Sequence, residues 1–195
     1  MKTLVIALRV AAVTLVVTGL VYPLLATGLA QLMFPRQAQG SLVTDDNGHV
    51  VGSELIGQPF ARPSYFQPRP SAAGEKGWDA TASGGSNFGT TSKKLRDRVE
   101  AEIARLHQEN PDAPGPVPSD LVTASASGLD PEISPEAARW QVPRVARARG
   151  VGAERVRSVV ESQIEGRELG VLGEPRVNVL ELNLALDRQF GRPAG

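Results

Sequence analysis

The residues best suited to chemistry are two serines ahead of an acid, Ser125 and Ser127 before Asp130, and a glycine–serine run, Ser83-Gly84-Gly85-Ser86-Asn87. A serine nucleophile needs a histidine to take its proton and an acid to orient that histidine. The chain has two histidines, His49 and His107, and neither stands in a nucleophile motif. No Gly-x-Ser-x-Gly elbow occurs, so hydrolytic chemistry is disfavoured. The Gly84-Gly85 loop could cradle a phosphate, because glycines let backbone N–H groups approach an anion. It lacks the Gly-x-x-x-x-Gly-Lys-Ser/Thr pattern, and no strand leads into it. A third imitation runs over 142–160: a helix, Gly150 or Gly152, then a helix with Arg155 and Arg157, the outline of a helix-turn-helix. With 21 basic and 21 acidic residues, the chain lacks the basic footprint of a nucleic-acid binder. A packed α-hairpin is the better reading. There is no cysteine, hence no disulfide framework and no thiolate metal site. Residue types alone assign no catalytic residue, no metal ligand and no bound cofactor.

The element that must place everything else is an uninterrupted apolar run, Val10 to Phe34. Between Arg9 and Arg36 no residue is charged. A helix of that length spans a hydrocarbon core of about 30 Å with some tilt. The competing reading is a cleaved secretory signal, but a signal's apolar region is only about 7–15 residues. Lys2 and Arg9 precede the run, and Asp45 and Asp46 soon follow it. The positive-inside rule therefore places a short N-terminus, 1–9, in the cytoplasm, a transmembrane helix at 10–34, and residues 35–195 outside. The expected class is α+β: one N-terminal transmembrane helix and a single extracytoplasmic α+β domain, on a bacterial inner membrane.

Within that domain, Gly40 to Gly57 reads as a hairpin turning at Asp46-Asn47-Gly48. Residues 58–90 carry little periodicity, many prolines and a concentration of the nine aromatics, among them Tyr65, Phe66, Trp78 and Phe88. Long irregular stretches are often functional. The aromatics either pin the loop to the domain or face a partner. Leu95, Val99, Ile103 and Leu106 make one helical stripe over 91–109, with Thr91 or Ser92 as cap. Asp120 to Thr123 is a candidate strand. Ser134-Pro135-Glu136 opens a helix that Pro143 should bend or break. Ala153 to Gln163 forms another helix, ended by Gly166, and Gly170-Val171-Leu172-Gly173 is a short apolar piece. Val177 to Asp187 alternates leucines like a strand, yet its composition and Asn178 as cap favour helix.

Several stretches together resemble one family. They are Ser53-Glu54-Leu55-Ile56-Gly57-Gln58, Tyr65-Phe66 with Arg69-Pro70-Ser71-Ala72, and Ser83-Gly84-Gly85-Ser86-Asn87. Next come Asp120-Leu121-Val122-Thr123-Ala124-Ser125, Ser127-Gly128-Leu129-Asp130-Pro131, and Gln141-Val142 with Arg144-Val145-Ala146. The last is Gly173-Glu174-Pro175-Arg176-Val177-Asn178-Val179-Leu180. In order and spacing, and with the N-terminal span, they look like the C subunit of the bacterial potassium-transporting P-type ATPase, the Kdp complex. The chain departs from the family's usual pattern at Gly89-Thr90, Ala126 and Glu132.

The resemblance implies a non-catalytic accessory subunit of an ATP-driven potassium uptake complex. Its partners would be a channel-like potassium-selecting subunit, a P-type subunit that hydrolyses ATP, and a small single-helix subunit. The family is described as a catalytic chaperone that raises the hydrolysing subunit's affinity for ATP. Its Ser83, Gly84, Gly85, Ser86 and Asn87 loop is likened to a transporter signature and proposed to meet nucleotide. An extracytoplasmic domain cannot reach cytoplasmic ATP, so a structural or allosteric role is expected instead. Candidate partner-binding residues are Tyr65, Phe66, Arg69, Ser127, Gly128 and Asp130. Candidate membrane-helix contacts are Ala11, Thr14, Thr18 and Ala26, because small residues let helices approach in lipid. The alternative is a stand-alone membrane-anchored binding or sensor domain.

Overall fold

A computed structural model describes residues 1–45 and 47–193. The chain divides into two compact units, Met1–Val43 and Thr44–Gly195. In the first, α1 (Lys2–Val16), a π-helical turn (Val17–Val21) and α2 (Tyr22–Met33) run on as one helix. Its 32 residues are long and apolar enough to cross a membrane, reaching about 48 Å at 1.5 Å per residue. The π turn has a local cause. Pro23 has no N–H to return to the Gly19 carbonyl, and its ring crowds that carbonyl. The Tyr22 N–H instead bonds the Val17 carbonyl, five residues back. The Thr18 hydroxyl donates to the Thr14 carbonyl at 2.8 Å just before it, a contact that itself bends helices. A short helix, α3 (Pro35–Ala38), follows.

Leu42–Thr44 (β1) and Val50–Ser53 (β2) pair in a two-stranded sheet, where a hairpin was expected. Of the expected turn residues, Asp46 lies outside the described residues. The Asp45 carboxylate accepts from the backbone N–H of Asn47 and His49, both at 2.9 Å. Gly48 takes φ +81, which a glycine adopts without steric cost.

The core of the second unit is built by three helices: α5 (Pro135–Arg149), α6 (Ala153–Ser162) and α7 (Val179–Phe190). Ser134 caps α5 by accepting from the Ala137 N–H at 3.1 Å, with Pro135 in the first turn. Pro143 lies inside this helix without breaking it. It removes the bond to the Arg139 carbonyl, a loss of up to about 3 kcal/mol. Around it Val142, Val145 and Ala146 are buried, as are Val156, Val159 and Val160 of α6. Each buried valine contributes roughly 1.5–3 kcal/mol, so packing outweighs the missing bond. Gly150, at φ +66, turns the chain into α6 while the Gly150 and Val151 N–H groups cap the Arg147 and Ala146 carbonyls. The helix-turn-helix outline is thus a packed α-hairpin, clipped by the Arg139 guanidinium on the Glu161 carboxylate at 2.7 and 2.8 Å. The second helix ends at Ser162, short of Gly166.

The segment with alternating leucines is helical. The Asn178 side chain accepts from the Glu181 N–H at 3.2 Å, and Leu182 and Leu186, one turn apart, are fully buried. Just ahead of it, Val177–Asn178 (β4) pairs antiparallel with Glu132–Ile133 (β3), Ile133 opposite Val177. The helix α4 (Lys93–Glu109) starts at Ser92, whose hydroxyl accepts from the Leu95 N–H. It buries Leu106 fully and Val99 and Ile103 in part. The expected strand at Asp120 to Thr123 is a 3-10 turn, Ser119–Leu121. Its side chains explain why. The Thr123 hydroxyl donates to the Ser119 carbonyl at 2.7 Å, and the Asp120 carboxylate accepts from the Ser134 N–H at 2.7 Å. The Thr123 bond is the local kind of side-chain contact that competes with strand formation, and the Asp120 bond ties the turn to the start of α5.

Candidate functional site

The irregular stretch 62–67 begins with a turn, the Tyr65 N–H donating to the Arg62 carbonyl at 3.1 Å, and is held as a strap by polar side chains that rise from buried helix faces. Asn183 of α7 acts as a substitute strand: its side chain accepts from the Phe66 N–H at 2.8 Å and donates to the Phe66 carbonyl at 3.0 Å. Gln141 of α5 does the same for Gln67, at 2.8 and 3.0 Å. Arg144, 3% exposed, donates to the Pro63 carbonyl and to the Gln141 side chain, each at 2.7 Å. Burial pushes its guanidinium down to about 10. Arg149 donates to the Ser64 carbonyl at 2.7 Å and pairs with Asp187 at 2.8 Å. Its guanidinium lies 5.0 Å from the centre of the Tyr65 ring. The Tyr65 hydroxyl donates to the other Asp187 oxygen at 2.9 Å, and burial followed by that carboxylate raises the phenol's pKa. Sequence reasoning did not single out Asn183, Arg149 or Asp187. The available signal was a polar residue on an apolar helical stripe, such as Asn183 within its leucine run.

The strap settles where the aromatics go. Phe66 is wholly buried in the core, so its ring serves the fold. Phe66, expected as a docking side chain, offers no exposed ring to a partner in this conformation. Tyr65 is half-buried in its clamp. Arg69 is paired with Asp130 at 2.9 Å and donates to the Thr123 carbonyl.

The remaining motif stretches converge on one loop, 125–131. The Gly57 N–H donates to the Leu129 carbonyl at 2.8 Å, and a Cβ on Gly57 would lie 2.4 Å from the Asp130 carbonyl oxygen. The Ser71 hydroxyl donates to the Gly128 carbonyl at 2.6 Å and accepts from the Ala73 and Trp78 N–H groups. The Ser83 hydroxyl and the Gly84 N–H both donate to the Ser127 carbonyl, at 3.0 and 2.9 Å. Gly128 has φ +67, and a Cβ there would meet the Gly84 carbonyl oxygen at 2.6 Å. A Cβ on Gly85 would meet the Ala126 carbonyl oxygen at 3.0 Å. These glycines therefore let two backbones touch, and part of the polar groups that would cradle an anion is already engaged. Asn178 ties the stretch 53–58 in as well, donating to the Glu54 carbonyl at 2.8 Å. Ser127 remains exposed, Gly128 is buried and Asp130 half-buried.

Among the described residues no nucleophilic relay is brought together. The Ser125 and Ser127 hydroxyls lie 3.3 Å apart, while His107 stands edge-on to Trp140 and His49 beside Asp45. Next to the loop lies a cleft of about 800 Å³, lined by Arg69, Asp120, Asp130, Glu132, Glu174 and Arg176 among others. Burial raises the pKa of Glu132, opposed by the nearby Arg176. Arg176 also bridges Glu165 and Glu168, at 2.9 and 3.0 Å.

In the helix of the first unit, Ala11, Thr14, Thr18 and Ala26 are all exposed. On an unbroken α-helix Ala26 would stand about 120° round from Thr14. A π turn takes up about one more residue than an α turn, and that lag carries Ala26 toward the face of Thr14 and Thr18.

The chain thus combines an apolar helix long enough to cross a membrane with a mixed helix and strand unit whose motif residues bind one another. Residues 4–188 match the family model described as the K+-transporting ATPase, c chain. The chain is 66% identical over 190 residues to a potassium-transporting ATPase KdpC subunit of Myxococcus xanthus, covering 97% of this chain and 90% of that protein. It is 53% identical over 187 residues to the one from Koribacter versatilis, covering 95% and 94%. With that of Bradyrhizobium diazoefficiens it shares 56% over 183 residues, covering 88% and 90%. The chain belongs to this family of potassium-transporting ATPase C subunits. It is an accessory subunit of the potassium uptake complex, distinct from the subunit that hydrolyses ATP.

Proposed function

We propose that the chain crosses the membrane once at 10–34, with 1–9 in the cytoplasm and 35–195 outside, and stabilises the assembled pump from the outer side. The family match over 4–188, joined to one membrane-length helix, carries this reading. The charges around the apolar run Val10 to Phe34 support its direction: Lys2 and Arg9 before it, Asp45 and Asp46 after it. Partner contacts are proposed along the helix face of Ala11, Thr14, Thr18 and Ala26. A second set is proposed at the exposed edge of the loop cluster, where Ser83, Asn87 and Ser127 reach solvent. The partners are the channel-like subunit, the ATP-hydrolysing subunit and the small single-helix subunit. Any effect on ATP turnover is then allosteric: the domain must bind one state of the pump better than another. The Ser83–Gly84 donors, committed to Ser127, favour this over direct nucleotide contact.

The test is to purify the pump from cells that express its other subunits with and without this chain. Without it, the remaining subunits should separate or lose potassium-stimulated ATP hydrolysis. Full activity of a stable complex lacking the chain would refute an assembly role.

A further inference from the structure

Between α6 and β4 the chain runs out and back as a narrow arm, 163–176. Glu165 and Arg176 exchange backbone hydrogen bonds at its base, at 2.9 and 3.0 Å, and Glu168 and Leu172 exchange them near its tip, both at 2.9 Å. The tip is a three-residue loop, 169–171, that opens with a tight turn centred on Leu169 and Gly170. The Val171 N–H donates to the Glu168 carbonyl at 3.1 Å, with Leu169 at φ +52 and Gly170 at φ +77. Such turns call for Asn-Gly, because both central residues sit in the left-handed region. A leucine there is disfavoured by its Cβ. It is also 88% exposed, and its neighbours Val171 and Leu172 are 73% and 58% exposed. Neither the local backbone nor the core accounts for an apolar residue at this place.

We infer that this tip is a docking knob that enters an apolar pocket on another protein subunit of the pump. The inference rests on the assembly reading above. The charges beside the tip favour a protein over lipid. Arg167 is paired with Glu174 at 2.6 Å, and Arg176 with Glu132, Glu165 and Glu168. The arm thus withdraws its charges from the tip, and its two arginines against three glutamates leave it at −1. Membrane-surface segments use lysine and arginine toward anionic headgroups and tryptophan or tyrosine at the interface. The arm has no lysine, tryptophan or tyrosine, and its arginines are engaged. A second copy of the chain is disfavoured by size, since a stable interface needs about 800 Å² from each side and three side chains supply far less. A small knob suffices only for a partner held alongside by another contact, which raises the effective concentration. The membrane helix provides that contact.

The test uses the whole pump, purified in detergent, and follows retention of the chain through extended washing. Leu169→Asn suits the turn better and removes the apolar group. It should speed loss of the chain about tenfold while leaving the chain's own melting temperature unchanged or higher. Leu169→Met should be retained within about twofold of wild type, because it keeps the apolar group. Wild-type retention of Leu169→Asn, or loss of Leu169→Met as fast as Leu169→Asn, overturns the knob. A polarity-sensitive dye on Leu172→Cys should shift to the blue in the complex. It should not do so when the chain alone sits in phosphatidylcholine–phosphatidylglycerol vesicles; a shift there overturns the protein pocket in favour of lipid. If wild type itself fails to co-purify, the assembly reading falls, whereas wild type retained together with Leu169→Asn sinks the knob alone.

Discussion

The strap 62–67 and the arm 163–176 are both irregular segments without apolar periodicity, and they are held in opposite ways. The strap runs over the core. Side chains of Asn183, Gln141, Arg144 and Arg149 take up its backbone groups, and Phe66 is driven fully inside. The arm stands away from the core, satisfies its charges within itself and leaves Leu169 at the tip in a strained conformation. A segment that serves the fold has its polar groups matched by distant residues and its apolar groups buried. A segment that serves an assembly has its polar groups matched locally and its apolar groups left out. Exposure of an aromatic-rich loop cannot therefore be read from composition, and the aromatic stretch around Tyr65 and Phe66 belongs to the first kind.

The contrast can be broken by mutations, the largest effect first. Phe66→Ala should cost about 3–5 kcal/mol as a cavity in the core. For a unit of this size that lowers the melting temperature by roughly 10 °C; a change under about 2 °C would return Phe66 to the list of docking residues. Asn183→Ala leaves both backbone groups of Phe66 buried without partners. It should cost about 3 kcal/mol, measured by denaturant titration, and a loss under about 1 kcal/mol would show that the strap is held by Phe66 alone. Gly128→Ala forces a Cβ against the Gly84 carbonyl at positive φ. It should cost about 2 kcal/mol and loosen the Ser83–Asn87 loop, seen as faster amide exchange at Gly84. Leu169→Asn should go the other way and stabilise the isolated chain by about 1 kcal/mol, since asparagine tolerates the left-handed region. A destabilised Leu169→Asn chain would mean that the tip packs on its own domain.

The smallest effect is a pH dependence at the turn after β1. The His49 backbone N–H and then the Arg192 guanidinium lower the Asp45 carboxyl from its ordinary 3.8 to about 2. A depressed folded value means that the unfolded chain binds more protons between those limits. The contribution is therefore complete above about pH 4 and is lost as the pH falls toward 2. Wild type should lose melting temperature more steeply than Asp45→Asn over that interval, and parallel curves would remove Asp45 from the account.

Helices with local signatures were legible from the residues: the stripe through Val99 and Leu106, the Ser134-Pro135 start, and the Asn178 cap that favoured helix over strand for Val177 to Asp187, where the structure has a helix from Val179 to Phe190. Pro143 leaves its helix unbroken because its local cost is overridden by valines that meet only in the folded hairpin. Asp120 to Thr123 misled because the Thr123 hydroxyl bonds to nearby backbone, which an apolar pattern does not record. The family motifs were visible as residues, but their purpose was not. The contacts that explain them join Phe66 to Asn183 and Ser83 to Ser127, far apart in the chain. The π turn that carries Ala26 toward Thr14 and Thr18 leaves no periodic signal either.

The central claim is that the domain acts from outside the membrane through contacts, with no reach to nucleotide. Asn47 is exposed at the hairpin turn, and the chain contains no cysteine. Asn47→Cys can therefore be labelled alone in intact cells by a membrane-impermeant maleimide. The account predicts full labelling before lysis. Protection in intact cells, with labelling only once the membrane is opened, would place the domain in the cytoplasm and make the Ser83–Asn87 loop a direct nucleotide contact after all.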